Sequence, residues 1–283
     1  MIHQPVLLKE VINYLKVKNN GFYIDCTFGL GGHSKAILKL GGKVLGIEWD
    51  EDTYKKAIVK YRSFLGKKLW LINKNFSEIE LIAKEKNFYP VDGILFDLGI
   101  SMEQIEKSGR GFSFKRLDEF LDLRINKEIK MKAADYLNFF SKDQLYEIFS
   151  KNTEVVNFKP IVDEIVIRRK FRRIEKVGDL VSIINSKLKQ KKERIYRQIW
   201  QGLRIVVNNE LENLKKGLEG AKNILKKNGK IIVITFHSLE DRLVKNFVVA
   251  NFLDFLTKKP VTSSSEKIFE RSAKLRVFTF KKC

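Results

Sequence analysis

Gly29, Gly31 and Gly32 lie between an apolar, β-branched and aromatic run at residues 22–28 and a segment that resumes at helical spacing from Ser34. Glycines at a strand-to-helix junction lack Cβ atoms, so backbone N–H groups and a helix N-terminus can come close to a polar ligand. Glu48 stands 19 residues beyond Gly29, at the end of a second apolar run. An acid at that place can bind the two hydroxyls of a ribose, and with the glycine turn it points to a nucleoside-containing cofactor. The dinucleotide fingerprint G-x-G-x-x-G would need its third glycine at Ser34. That departure, with Asp25 just before the turn, favours an adenosyl cofactor over NAD.

Two further places carry groups suited to chemistry. Asp97 ends a fourth apolar run and is followed by Gly99, Ile100 and Ser101, while His237 and Ser238 end a fifth. His33 follows the glycine turn, so His33 and His237 are expected to face one crevice. The three histidines, His3, His33 and His237, are too scattered, and too short of Cys or Asp partners at ligand spacing, to suggest a metal site. Ser101 and Ser238 lack a G-x-S-x-G elbow, and no P-loop lysine follows the glycines, which argues against a serine hydrolase and a P-loop nucleotidase.

The elements that must position these groups follow from periodicity. Strands are expected at 22–28, 43–49, 69–76 and 91–98, joined by helices over 34–40, 52–64 (capped by Asp52) and up to 87 (capped by Ser77). Four strands alternating with helices predict an α/β, doubly wound, Rossmann-like parallel sheet with its ligands at the C-terminal strand ends. An N-terminal helix at 5–15 would cover one side. From about Ile105 the spacing is helical with no strand signal, so the chain reads as sheet-domain residues 1–104, an inserted all-helical domain 105–205, and sheet-domain residues 206–283. One long helix from about Ile195, striped by Leu203, Leu211, Leu214 and Leu218, would return to the sheet. Residues 230–236 form a fifth strand, a helix starts at Leu239, and 273–281 alternates as a final antiparallel edge strand. Residues 262–267 read as a small polar loop.

A 44% hydrophobic content over 283 residues supports a sizeable core. Cys26 and Cys283 are the only cysteines, which excludes a disulfide framework and fits a reducing, cytoplasmic location. No run approaches the ~20 apolar residues of a membrane span. The net charge of +21 suggests a polyanionic partner. Seven of the 14 arginines fall within 168–204, a segment with 13 basic and three acidic residues. Arginine's planar fork matches phosphates and base edges, so this part of the insertion is the expected nucleic-acid contact.

Several motifs then carry a resemblance. G-G-H-S at 31–34, D-L-G-I-S at 97–101 with Gln104, R-G-F-S-F at 110–114, L-D-L-R at 121–124, Q-G-L-R-I-V-V-N-N-E-L at 201–211, F-H-S-L-E-D-R at 236–242 and R-S-A-K-L-R at 271–276 resemble the motif series of the bacterial 16S rRNA cytosine-N4 methyltransferase family (RsmH/MraW). H-Q-P-V-L-L-K-E at 3–10 resembles that family's opening. The resemblance implies an S-adenosyl-L-methionine-dependent enzyme that methylates a cytidine of the decoding region in 16S rRNA, with the small ribosomal subunit as partner and the helical insertion recognising substrate. It implies cofactor contacts from Gly31, Gly32, His33, Glu48, Phe76, Asp97 and Gln104. A catalytic set of Asp97, Ser101 and His237 fits the same picture, with backbone carbonyls near Leu98 and Gly99 helping to hold a flipped-out base.

Glu48 stands where the family usually has Asp, Ser101-Met-Glu-Gln104 replaces its S-S-P-Q, and Thr153-Glu-Val-Val replaces its G-E-E-R. A methyltransferase for another acceptor and a ribosome-assembly binder with decayed catalysis remain alternatives, and a monomer or a homodimer is compatible with either. If the basic insertion contacts RNA electrostatically, log affinity for RNA falls steeply with log salt in a filter-binding titration, whereas a flat response removes the electrostatic argument.

Overall fold

The computed structural model describes residues 5–153, 155, 157–188, 193–263 and 271–281. His3, Glu154, Cys283 and most of the polar loop expected at 262–267 lie outside the described residues. The chain divides into two units, one running through Gly99 and resuming at Leu211, the other Ile100–Glu210.

The first unit is built on one sheet. Its parallel strands β1 (Phe22–Asp25), β2 (Lys43–Ile47), β3 (Leu69–Ile72), β4 (Val91–Asp97) and β5 (Leu225–Thr235) are ordered β3-β2-β1-β4-β5. Beyond β5 come β8 (Lys274–Phe280) and then β6 (Leu253–Phe255), both antiparallel to their neighbours, and the short β7 (Val261–Thr262) also pairs with β8. The expected edge position of the last strand is therefore corrected: β8 is interior, with Leu275, Val277 and Phe278 buried, and β6 lies outside it. A three-residue strand such as β6 is too short to give a periodicity signal.

Strand alternation feeds two cores. Ile24, Leu45, Ile94, Phe96, Ile231 and Val233 face one side and pack with Ile79, Ile82, Leu214, Leu218 and Val244. Tyr23, Val44, Leu95, Ile232, Ile234 and Val277 face the other and pack with Ile37, Ala57, and Val11 and Leu15 of the N-terminal helix α1 (Leu8–Leu15). Both faces are covered, which is why these strands read as continuous apolar runs. The parallel sheet covered on two sides is the doubly wound, Rossmann-like α/β arrangement expected from the alternation of elements.

Helix starts differ from expectation by a few residues, and two of them for a capping reason. Asp50, not Asp52, caps α3 (Glu51–Lys60), its carboxylate accepting from the N–H groups of Asp52 and Thr53. Asn75 rather than Ser77 caps the 3₁₀ turn Phe76–Glu78 that opens α4 (Ile79–Glu85). Asp and Asn side chains reach N–H groups two and three residues on, so Asp50 and Asn75 take the caps and leave Asp52 and Ser77 inside the first turn.

The Ile100–Glu210 unit is helical: α5 (Met102–Lys107), α6 (Ala133–Phe139), α7 (Lys142–Asn152), α8 (Lys159–Arg168), α9 (Val177–Lys187) and α10 (Glu193–Asn208). Its core holds Leu121, Leu137, Leu145, Phe149, Ile165, Leu180, Ile199 and Leu203. The long helix expected from Ile195 is two helices. Asn209 adopts a left-handed conformation (φ +50°), which ends α10 and starts α11 (Glu210–Ile224). Leu203 and Val207 then serve the helical core, whereas Leu214 and Leu218 serve the sheet core. One apolar stripe feeds two cores, a division periodicity cannot show.

Between α5 and α6 the chain is irregular but tightly tied. The Arg110 guanidinium donates to the carbonyls of Arg124 (3.0 Å) and Ile125 (2.7 Å), and Asn208 accepts from the Ile125 N–H (2.7 Å) while donating to the Leu123 carbonyl (2.8 Å). Arg124 grips Asp122 through Nε (2.6 Å) and Nη2 (2.9 Å), and the Trp200 indole donates to the Gly111 carbonyl at 2.8 Å. Gly111 has φ +72°, and a Cβ there would lie 2.3 Å from the Phe120 carbonyl oxygen. Gly111→Ala is therefore expected to destabilise the protein by about 2–4 kcal/mol through left-handed strain and backbone overlap. A melting temperature equal to that of the parent in a thermal scan would contradict this reading.

Candidate active site

The strand order reverses between β1 and β4, so the C-terminal ends of these strands open a crevice, as doubly wound sheets do. Asp25 ends β1. Its carboxylate accepts from the Ser34 hydroxyl at 2.6 Å and the Thr27 N–H at 3.3 Å, and burial pushes the carboxyl above its ordinary range against the pull of His33 and Ser34. Thr27 in turn accepts from the Asp97 N–H at 2.7 Å, tying the tip of β4 to the segment after β1.

The turn after β1 is shaped by packing as well as by backbone freedom. Gly31 has φ +74° and is the N-cap of α2 (Gly32–Lys39). A Cβ on Gly31 would meet the Tyr61 and Phe28 rings at 2.6–2.7 Å, and one on Gly32 would meet Pro5 at 2.3 Å. These two glycines thus make room for protein side chains, a packing reason for glycine that stands beside the expected approach of a ligand to the turn. The Tyr61 hydroxyl, to which no spacing pattern points, donates to the Gly31 carbonyl at 2.8 Å.

Glu48, just past β2, is held at both oxygens: the Gly29 N–H donates at 2.8 Å and the Asp50 N–H at 2.8 Å. Asn73 donates to its carbonyl at 2.7 Å. Burial, only partly offset by those N–H donors, pushes the Glu48 carboxyl up to about 7. The acid is thus poised to gain from further donors such as hydroxyl groups, which favour its charged form.

His33 and Asp97 come together. The imidazole, 5% exposed, has Nε2 3.4 Å from Asp97 Oδ2, and neither ring nitrogen has a hydrogen-bond partner. Asp97 Oδ1 is also buried without one. Buried polar atoms left unsatisfied are uncommon and mark places where a bound group can complete the set. Phe76 sits differently. Its ring stands edge-on to Phe96, centroids 5.5 Å apart, and closes against Gly217, leaving the residue half-buried.

His237 is a helix cap. Its Nδ1 accepts from the Glu240 N–H at 3.3 Å, and the Glu240 carboxylate accepts from the His237 N–H at 3.4 Å, which makes a reciprocal box opening α12 (Ser238–Ala250); the same carboxylate accepts from the Phe236 N–H at 2.9 Å. The helix therefore starts at Ser238, one residue before the expected Leu239. His237 Nε2 lies 3.1 Å from Glu240 Oε1. No hydrogen bond or ion pair joins His237 to Asp97 among the described residues. Three residues on from the start of that helix, Asp241 takes both Nε (2.5 Å) and Nη2 (3.0 Å) of Arg276. Burial works to raise the Asp241 carboxyl, but the Arg276 guanidinium outweighs it and holds the group below its ordinary value. The F-H-S-L-E-D-R and R-S-A-K-L-R stretches are thus one bonded assembly.

Ser101 and Gln104 belong to the helical unit and complete each other. The Ser101 hydroxyl accepts from the Gln104 N–H (3.2 Å), and Gln104 Oε1 accepts from the Ser101 N–H (2.9 Å). This is a capping box on α5, a short helix absent from the sequence expectations although S-x-x-Q is its signature. The crevice of the sheet unit accordingly collects Gly31, Gly32, His33, Glu48 and Asp97, joined by Asp25, Thr27 and Tyr61. A set of three carboxylates, an imidazole and turn N–H groups suits a ligand with hydroxyl and ammonium groups.

The chain matches the family model described as the MraW methylase family over residues 1–281. It is 43% identical over 285 residues to the ribosomal RNA small subunit methyltransferase H of Dictyoglomus thermophilum, covering 98% of this chain and 96% of that one. It is 40% identical to the protein of the same name from Dictyoglomus turgidum (98% and 97% covered) and 39% identical to that from Pseudothermotoga lettingae (98% of each). With these relatives aligned along nearly its whole length, and with the G-G-H-S turn, the Asp97 tip and the capped F-H-S-L-E-D-R helix assembled in one unit, the chain belongs to the MraW methylase family.

Proposed function

We propose that this chain transfers a methyl group from S-adenosyl-L-methionine to N4 of a cytidine in the decoding region of 16S rRNA, acting in the cytoplasm on the small ribosomal subunit. The observation that carries the reading is the cluster at the strand tips. Both ring nitrogens of His33 and Oδ1 of Asp97 are buried without hydrogen-bond partners beside a carboxylate-rich crevice. The relatives' shared name, with the family match along the chain, supports rRNA as the acceptor.

The residues present fit an adenosyl cofactor. Glu48 is the acceptor for its ribose hydroxyls, and the turn at Gly31, Gly32 and His33 faces the methionine part. Asp97 takes the adenine amine or the methionine ammonium, and the exposed side of Phe76 offers a surface for adenine. Gln104 is assigned by resemblance, and its side-chain oxygen is committed to the cap on α5. When bound, the sulfonium supplies an electrophilic methyl group for direct displacement, which needs alignment more than a strong base.

The cytosine amine is a weak nucleophile because its lone pair is delocalised into the ring. As N4 becomes positive, the site must offer acceptors to its N–H groups. Asp97, Ser101, His237 and the carbonyls near Leu98 and Gly99 are the proposed acceptors and base-holding groups. Ser101 and His237 also cap helices, so their side chains are fixed by their own backbones before any base arrives. The helical unit is the proposed substrate-recognition domain.

Three tests separate the parts of this reading. The Glu48 carboxyl, raised to about 7, is protonated below that pH and a full acceptor only above it. Affinity for S-adenosylhomocysteine, followed by calorimetry, is expected to rise about tenfold from pH 6 to pH 8 and to flatten in Glu48→Gln; a flat parent profile would remove Glu48 from the ribose site. His237→Ala and Ser101→Ala are each expected to slow single-turnover methylation of small-subunit RNA by roughly 10- to 100-fold while retaining cofactor affinity. Full rates in both would end the base-holding assignment. Mass spectrometry of rRNA from a deletion strain is expected to show one N4-methylated cytidine lost, and loss at another nucleotide or in another polymer would move the acceptor.

A further inference from the structure

The helical unit exposes two phenylalanine rings in a setting of arginines. Phe171 is 85% exposed and Phe139 64% exposed, the former following α8 and the latter ending α6. The guanidinium of Arg173 lies over the Phe139 ring, 5.1 Å from its centroid. Residues 167–176 hold six basic side chains and one acid, Glu175. Lys170, Arg172, Arg173 and Lys176 line the same stretch, and neither Arg172 nor Arg173 is paired with a carboxylate among the described residues.

The scaffold beneath these groups is rigid. Asn138 donates to the Ile174 carbonyl at 2.8 Å and accepts from the Ile174 N–H at 3.1 Å, which clamps the end of α6 to the loop after α8. Arg169 adds bonds to the Leu137 carbonyl (2.8 Å) and the Phe140 carbonyl (2.6 Å). Phe171 and Arg172 are tied back by their N–H groups to the Arg168 carbonyl at 3.0 and 3.1 Å. By contrast, Arg168, Arg197 and Arg204 are engaged by Glu164, Glu193 and Glu210. Among the described arginines of 168–204, the guanidinium groups of Arg172, Arg173 and Arg194 hold no carboxylate or carbonyl, and the first two stand in the loop that carries Phe171.

We infer that Phe139, Phe171, Arg172 and Arg173 form a stacking platform for unpaired bases of single-stranded RNA, with Lys170 and Lys176 against its phosphates. Exposed aromatic faces accept any base, guanidinium planes stack as well as bind phosphate, and a positive surround follows the backbone. A duplex hides its base faces and would not use the rings. The inference rests on the reading of rRNA as substrate and adds which groups of the helical unit grip the RNA.

The test measures binding of a labelled, unstructured single-stranded RNA to the full chain by fluorescence anisotropy, with heparin as a polyanion that lacks bases. Phe139→Ala and Phe171→Ala are each expected to weaken RNA binding about tenfold, and Phe→Trp at either position is expected to restore it. Heparin and S-adenosylhomocysteine affinities are expected to stay at parental values, the latter reporting an intact fold. Arg172→Ala with Arg173→Ala is expected to lower the slope of log affinity against log salt by roughly 0.7 for each phosphate no longer neutralised. RNA binding within twofold of the parent in the double phenylalanine variant, or equal weakening toward heparin, overturns the platform. A parent that fails to methylate cytidine while these ring effects persist would sink the N4 reading alone, whereas a methylating parent indifferent to the rings would sink the platform alone.

Discussion

The sheet unit depends on the burial of acids at the ends of three neighbouring parallel strands. Asp25, Glu48 and Asp97 stand at the ends of β1, β2 and β4, and an unpaired carboxylate in such a place is strongly disfavoured. Two of them are answered locally, Asp25 by Ser34 and the Thr27 N–H and Glu48 by the Gly29 and Asp50 N–H groups. Asp97 is answered only in part, by His33 at 3.4 Å. The local shape of the turn, with Tyr61 holding Gly31 and Pro5 filling the space beside Gly32, follows from the need to bring those donors to those acids. The residue left least satisfied is the one at the switch point of the sheet, where a ligand has access.

The helical unit solves a different problem. Its long connection between α5 and α6 has no helix or strand ladder to serve its peptide groups, and buried peptide groups must find partners. Arg110, Arg124 and Asn208 provide them, so R-G-F-S-F, L-D-L-R and the N-N of the 201–211 motif are ties within the unit. The arginines that stand out in the sequence divide accordingly into those that hold carbonyls or carboxylates and those that reach solvent. Net charge alone makes no such distinction, because it does not tell where an arginine's partners lie.

Much of the sheet was legible because strands covered on both faces are continuously apolar and are separated by helical spacing, as at 43–47 and 91–97. Glu48 and Asp97 could be placed at strand tips for the same reason. Less legible were contacts between residues far apart in the chain: Thr27 with Asp97, Asp241 with Arg276, Trp200 with Gly111. No local pattern encodes these pairings. The caps at Ser101 and His237 are written as S-x-x-Q and H-x-x-E, but a serine or histidine side chain can serve a helix end or a reaction, and spacing does not separate the two roles.

By itself the sequence determined the doubly wound sheet, the glycine turn, the acids at the strand ends and the helical character of the insertion, since each is written in short-range spacing and side-chain type. The tertiary structure alone decided that β8 is interior, that Asn209 splits one apolar stripe between two cores, and that His33 rather than a backbone donor meets Asp97. It also decided which arginines are engaged and which stand beside the exposed rings of Phe139 and Phe171. The physical reason is common to all of these. Hydrogen bonding and burial are settled by whichever groups the fold brings within about 3 Å, and that neighbourhood is a property of the folded chain.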